Sequence, residues 1–181
     1  MNEVQETRAT SVWPTAIRHG LITGGLLILF TLLIYALGMM QNKALGFVSI
    51  LLLIGGMYIG TKNYRDHVLG GFMTYGKAFT TAFFIGLVAS VLLSVYTYFF
   101  YTFFDPGMID VIVEQAEETM LQRNPELTDE QLDMALTMTR KMTQPGWLAG
   151  MGIITNGIAS LIIGLILGIF LKKEDPFASQ L

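Results

Sequence analysis

Residues 147–171 read WLAGMGIITNGIASLIIGLILGIFL, without an aspartate, glutamate, lysine or arginine. A helix rises about 1.5 Å per residue, so about 20 apolar residues cross the ~30 Å hydrocarbon core of a bilayer. Three further runs without these charged residues lie at 21–40, 44–61 and 78–104. Because a backbone in lipid must satisfy its own hydrogen bonds, each run is expected to be a helix. The sequence therefore predicts an all-α polytopic membrane protein with four transmembrane helices.

The composition indicates a single membrane domain with one insertion outside the membrane. The chain has 181 residues, 52% hydrophobic and 14% charged, which is typical of a small membrane protein. It contains no cysteine, which excludes disulfides, a thiol nucleophile and thiolate metal ligands. The expected layout is a cytoplasmic N-terminal segment (1–18), three transmembrane helices (19–104), an extracytoplasmic acidic hairpin (105–146), a fourth transmembrane helix (147–172) and a cytoplasmic tail (173–181).

Lysines and arginines near the ends of the spans indicate the orientation. Seven of them flank the side that carries both termini and the connection between the second and third spans. Four flank the other side. Cytoplasmic segments carry the excess of these residues, so both termini are expected in the cytoplasm.

The segment 105–146 contains signals for two amphipathic helices. Asp105 followed by Pro106 is typical of a helix start. Thr128 and Gln131 have the spacing of a capping box, in which each side chain bonds the other residue's backbone N–H. The segment therefore predicts an αα-hairpin between the third and fourth spans.

The hairpin is expected to present an acidic surface that also carries methionine. Nine acids against three bases give this segment a net charge of −6. Apolar residues, Met142 among them, are expected to pack the two helices together and to leave the acids in water. The residues predicted for a partner surface are Glu114, Glu117, Glu118, Glu130, Asp133, Met134 and Met138. The alternative is a solvated cap that binds no partner.

Small and polar residues recur at every fourth position along the last span. They are Gly152, Asn156, Ser160, Gly164 and Gly168, and the second span carries Gly56 and Gly60 at the same spacing. Helices in lipid associate through close backbone approach and interhelical hydrogen bonds, which such stripes permit. The last span is therefore expected to be the most buried of the four along its stripe from Gly152 to Gly168. Three interpretations stay open: packing of the protein's own helices, contact with a second copy or partner, and a pore lined by Asn156.

One stretch of the chain resembles a known family. The sequence GGFMTYGKAF at residues 70–79 leads into a third span that carries glycine and serine, and Asp105-Pro106 follows that span. With a polar helical insert before the last of four spans, this pattern resembles the domain of unknown function 4199 family of bacterial membrane proteins, over roughly residues 18–172. The resemblance implies a multi-pass protein of the bacterial inner (cytoplasmic) membrane. It brings no catalytic residue with it.

No residue pattern points to catalysis, a metal or nucleic acid. The sequence contains no G-x-S-x-G, H-E-x-x-H or P-loop motif and no calcium-binding ladder of acids. His19 and His67 are isolated, whereas a metal site needs three or four ligands. The bases are scattered around the span ends and form no patch that would suit nucleic acid.

These observations favour a non-enzymatic accessory or interaction subunit without a cofactor. Its expected partners are the lipid bilayer and either another protein or a second copy of the chain. The alternative is a small oligomeric transporter or channel component.

Overall fold

The computed structural model of the chain describes residues 11–40 and 42–174. Its α-helices are α1 (Trp13–Ala36), α2 (Lys43–Asn63), α3 (Tyr75–Phe99), α4 (Met108–Arg123), α5 (Asp129–Met142) and α6 (Pro145–Leu171). One π-helical turn follows α2 over Tyr64–Val68, and another follows α3 over Phe100–Phe104. No β-strand occurs within the described ranges, so the all-α fold predicted from the sequence is confirmed.

Four helical segments are long and apolar enough to cross a membrane. They are Trp13–Ala36, Ala44–Val68, Tyr75–Phe104 and Pro145–Leu171. The remaining helices, α4 and α5, are shorter, at 16 and 14 residues, and carry many charged side chains. The prediction of four spans with a helical hairpin before the last is therefore confirmed.

The helices form two compact units. The bundle unit contains the described residues up to Leu93 and from Ile154 onward, and the hairpin unit is Ser94–Ile153. The bundle unit therefore holds α1, α2 and most of α3 and α6. The hairpin unit holds α4 and α5.

α3 is the most buried of the four spanning segments. Within the most apolar stretch of each segment, 44% is buried in α3 and 22% in each of the others. The expectation that the last span is the most buried is therefore wrong. In the bundle unit α3 contacts α1 through Val88, α2 through Ile85 and α6 through Gly86. The expectation rested on the small residues of α6. Burial depends on how many helices surround a segment, and three helices surround α3.

The connection between α2 and α3 is joined to the end of α6. Gly70 and Gly71 turn the chain with φ angles of 69° and 96°, which glycine adopts without a Cβ clash. Met73 and Lys173 then exchange two backbone hydrogen bonds, each 2.8 Å from nitrogen to oxygen. This pairing fixes the position of the chain as it leaves α6.

The helix starts in the hairpin unit differ in how well the sequence predicts them. The capping box of α5 forms: Thr128 Oγ1 accepts from the Gln131 backbone N–H at 3.4 Å, and Gln131 Oε1 accepts from the Thr128 N–H at 3.2 Å. α4 begins two residues later than expected, with Gly107 as its N-cap. The Met108 N–H bonds the Asp105 carbonyl oxygen at 3.3 Å, so Asp105 closes a turn before the helix.

The contact between α4 and α5 leaves one face of α5 uncovered. Val113 of α4 is buried. Met142, which was expected to pack between the helices, is 53% exposed. Residues four apart lie one above another on a helix, so Met142 shares the outer face with Met134 and Met138.

Candidate interaction surfaces

Three residues of the α6 stripe face α3 within the bundle unit. A Cβ added to Gly164 would lie 3.4 Å from the nearest α3 atoms, and one added to Gly168 would lie 2.8 Å from Tyr75 Cε2. Ser160 is fully buried, and its Cβ lies 2.6 Å from the position of a Cβ added to Gly86. The two helices can approach this closely because these side chains are small or absent.

The other two residues of the stripe have different surroundings. Gly152 belongs to the hairpin unit, where an added Cβ would lie 3.2 Å from Ser94 Oγ. Asn156 belongs to the bundle unit and is half-buried beside a cavity of about 280 Å³. The stripe predicted from the sequence is therefore not one uniform interface.

The cavity beside Asn156 is lined almost entirely by aliphatic side chains. Apart from Asn156 and Ser49, its lining residues are Leu27, Ile50, Leu53, Leu93, Ala159, Ile162 and Ile163. Ile50 and Ile162 in this lining are about half exposed, so the cavity is open on one side. Its aliphatic wall offers water few polar partners. This lining suits an apolar occupant.

Gly56 and Gly60 place α2 against its neighbours in the bundle unit. A Cβ added to Gly56 would lie 2.5 Å from Thr23 Cγ2 of α1. One added to Gly60 would lie 2.8 Å from His19 Cβ of α1 and 2.7 Å from Ile85 Cδ1 of α3. Sequence reasoning missed Thr23, which is 3% exposed, because a threonine inside an apolar run gives little signal of its contact.

Two buried hydroxyls in the bundle unit form no hydrogen bond with the described residues. They are Thr61 Oγ1 and Ser160 Oγ. By contrast, the hydroxyls of Thr81 and Ser90 each donate to the carbonyl oxygen four residues earlier, at 2.7 Å. Ser160 therefore contributes small size, and no hydrogen bond, to the contact between α6 and α3.

The acids predicted for a partner surface are mostly exposed. Glu114, Glu118, Glu130 and Asp133 are exposed, and Glu117 is half-buried. Asp110, a further acid of α4, pairs with Arg140 of α5 at 3.1 Å between Oδ1 and Nη1. This exposed pair joins the two helices and adds little stability, since water screens it.

The methionine row of α5 consists of Met134, Met138 and Met142. Their exposed fractions are 69%, 59% and 53%. The spacing of four residues places them on one face of the helix. The row is a continuous apolar strip on the exposed side of α5.

α4 carries a shallow open groove that the sequence did not reveal. The groove has a volume of about 410 Å³ and is lined by Ile112, Gln115, Ala116, Thr119, Met120 and Arg123. Its lining mixes apolar and polar side chains from successive turns of one helix. The amphipathic spacing of apolar residues in α4 predicts the helix. It does not predict the groove, whose depth depends on how neighbouring segments pack.

The histidines do not form part of a metal-binding cluster. His19 packs against Gly60, and His67 is exposed. Within residues 11–40 and 42–174, no three His, Cys, Asp or Glu side chains are grouped as ligands for a metal ion.

The four apolar helices define the class of protein: an all-α membrane protein whose chain crosses the bilayer more than once. Comparison with known proteins then gives the family. The chain belongs to the family described as protein of unknown function (DUF4199), which it matches over residues 18–173. The match covers most of α1 and all of α2 to α6, and it confirms the resemblance. No curated protein and no solved structure matches the chain.

Proposed function

We propose that this membrane protein is a non-enzymatic accessory or interaction subunit that binds a protein partner through the α4–α5 hairpin. The observation that carries the proposal is the methionine row, each member of which is more than half exposed. Exposed apolar side chains on the spanning helices meet lipid. α5 has only 14 residues and is too short to cross the membrane. The surrounding lipid therefore does not cover its methionine row, and a partner is needed to do so.

The charge of the hairpin defines the chemistry of the partner. The net charge of −6 over residues 105–146 attracts a basic partner and repels an acidic one. Methionine side chains are flexible and adapt to the surface that covers them. The segment that fits is a helix with an apolar face that covers the methionine row and basic residues that meet the acids. Salt weakens this attraction.

A transporter or channel component is the alternative, and the cavity beside Asn156 bears on it. A path for water or ions needs polar groups along its wall. Only Asn156 and Ser49 supply such side chains in this cavity. The lining therefore supports the interaction role over transport. The non-enzymatic part of the proposal rests on the sequence, which contains none of the catalytic motifs considered.

We also propose that the protein lies in the bacterial inner membrane with both termini in the cytoplasm. The support is the excess of lysine and arginine on the side of the termini, seven against four. Because the chain has no cysteine, Glu118→Cys and Ala178→Cys each introduce a single thiol. Ala178 lies outside the described residues. In intact cells a membrane-impermeant reagent is expected to label the first thiol and to spare the second. The reverse labelling contradicts the orientation.

Photo-crosslinking in native membranes tests the binding surface. A photoreactive amino acid replaces Met138 in one variant and Thr137 in a matched control. Thr137 is also exposed but lies on the polar face of α5. The variant at Met138 is expected to crosslink a basic, amphipathic segment of another protein, and the variant at Thr137 is expected not to. Equal capture at both positions, or capture of lipid or of a second copy alone, contradicts the proposal.

A further inference from the structure

One end of the bundle unit carries a strong excess of positive charge. Here α1 begins, α2 ends, α3 begins and α6 ends. The bases at this end are Arg18, Lys62, Arg65, Lys77, Lys172 and Lys173. The described acids at this end are Asp66 and Glu174, which leaves a net charge of +4. We name this end the basic end.

Backbone contacts hold the basic end in a fixed arrangement. The Arg65 guanidinium donates to the Leu171 carbonyl oxygen at 3.3 Å and joins the end of α2 to the end of α6. The paired backbones of Met73 and Lys173 hold Lys172 and Lys173, which follow the end of α6, beside the α2–α3 connection. Lys173 Nζ lies 5.4 Å from the centroid of the Phe72 ring, a distance that allows a cation–π contact. The lysines after α6 therefore belong to a fixed surface.

Three lysines of the basic end form no salt bridge within the described part of the chain, although the charge of Lys62 also acts on Asp66. Asp66 pairs with Arg65 at 2.7 Å. Lys62, Lys172 and Lys173 are exposed and form no ion pair with described residues. Their charges are available to an anion.

Apolar surface lies directly beside these lysines. Ile59, one turn before Lys62 on α2, is 61% exposed. Ile169 and Phe170, just before Lys172 on α6, are 59% and 74% exposed. At the end of a spanning helix such side chains reach into the hydrocarbon layer while the lysines lie at the level of the headgroups. A ligand that satisfies both surfaces has an anionic headgroup and apolar chains.

We propose that the basic end binds an anionic phospholipid, whose phosphate lies against Lys62, Lys172 and Lys173 and whose acyl chains lie along α2 and α6. Basic pockets between spanning helices bind acidic headgroups in this way. The site is separate from the hairpin surface proposed above and does not depend on the orientation of the chain. Soluble phosphate shares the headgroup chemistry but leaves the apolar side chains uncovered.

Native mass spectrometry of the full chain in a neutral detergent tests this site. The probes are phosphatidylglycerol and phosphatidylcholine with the same acyl chains. The wild-type protein is expected to retain phosphatidylglycerol several-fold more than phosphatidylcholine. Equal retention of the two lipids overturns the proposal, as does displacement of phosphatidylglycerol by an equal concentration of glycerol phosphate.

A matched pair of variants locates the site. One variant combines Lys62→Gln, Lys172→Gln and Lys173→Gln. The control combines Arg123→Gln, Arg140→Gln and Lys141→Gln, which removes the same charge from the hairpin unit. The first variant is expected to lose the preference for phosphatidylglycerol, and the control is expected to keep it. A third variant with arginine at the three lysine positions is expected to retain the lipid, which separates charge from folding. Equal loss in the first variant and the control, or loss in the arginine variant, overturns the assignment.

Discussion

In the bundle unit, several glycines mark the closest contacts between helices, whereas none of the four glycines of the hairpin unit marks a contact as close. A Cβ added to Gly56, Gly60 or Gly86 would lie within 3 Å of a neighbouring helix. One added to Gly146 or Gly150 of the hairpin unit would meet nothing within 4 Å. The hairpin unit also leaves the methionine row uncovered. The difference suggests that close packing determines stability in the bundle unit, and that apolar surface stays available for binding in the hairpin unit.

The largest expected effect is a loss of stability when a leucine fills a helix contact of the bundle unit. At Gly86 the first side-chain atom would already lie 2.6 Å from Ser160 Cβ and 3.1 Å from Met57 Sδ. Gly86→Leu is expected to lower the free energy of unfolding by about 3 kcal/mol, at the upper end of the usual cost of overpacking. Gly157→Leu on α6 is the control, because nothing lies within 4 Å of its added Cβ.

Unfolding of both variants in mixed micelles, followed by circular dichroism, measures the difference. Equal stability of Gly86→Leu and Gly157→Leu is the result that breaks the comparison.

A smaller loss is expected where the helices leave slightly more room. An added Cβ at Gly164 would lie 3.4 Å from α3, which is close to ordinary van der Waals contact. Gly164→Ala is therefore expected to be nearly neutral, and Gly164→Leu to cost about 1–2 kcal/mol. The same unfolding assay compares them. If Gly164→Ala is as unstable as Gly164→Leu, the space beside Gly164 is smaller than the 3.4 Å distance to α3 indicates.

Removal of an unpaired hydroxyl is expected to stabilise the bundle unit. Ser160 Oγ is buried without a hydrogen bond to the described residues, and such a group costs about 1–3 kcal/mol. Ser160→Ala is expected to raise the free energy of unfolding by about 1 kcal/mol. Ser90→Ala, which removes a hydroxyl bonded at 2.7 Å, is the control and is expected to give no gain. A loss of stability in Ser160→Ala indicates a partner for this hydroxyl.

In the hairpin unit, the expected effect of a single substitution is local. Thr128→Ala removes the cap of α5 and is expected to cost about 1 kcal/mol of local helix stability. Amide hydrogen exchange along α5 measures it, and the four spans are expected to exchange as in the wild type. Thr137→Ala is the control, because Thr137 is an exposed residue in the middle of α5 and does not cap the helix. Faster exchange in the spans of the Thr128→Ala variant contradicts the separation of the two units.

The sequence predicts the spans and the hairpin because both depend on local patterns. The length of an apolar run determines whether a helix can cross the membrane. The capping box of Thr128 and Gln131 needs only residues three positions apart, and the bonds form as expected. The family resemblance follows from motifs along nearly the whole chain, and the match over residues 18–173 confirms it.

Features that depend on neighbouring helices could not be predicted in the same way. The burial of α3 depends on contacts with three other helices. The apolar face of α5 is wider than the part of it that α4 contacts. Met142 lies outside that contact and is therefore exposed. The π-helical turns after α2 and α3 have no signature in the sequence that separates them from an ordinary helix end.

Deletion of residues 108–143 tests most directly whether the hairpin carries the binding and the bundle carries the fold. A short Gly/Ser linker replaces the deleted residues. The truncated protein is expected to insert all four spans and to lose the partner that crosslinks at Met138 in the full chain. Mild-detergent purification from native membranes, with identification of the co-purifying proteins, gives the comparison. A truncated protein that keeps every native partner and supports the wild-type phenotype contradicts the account.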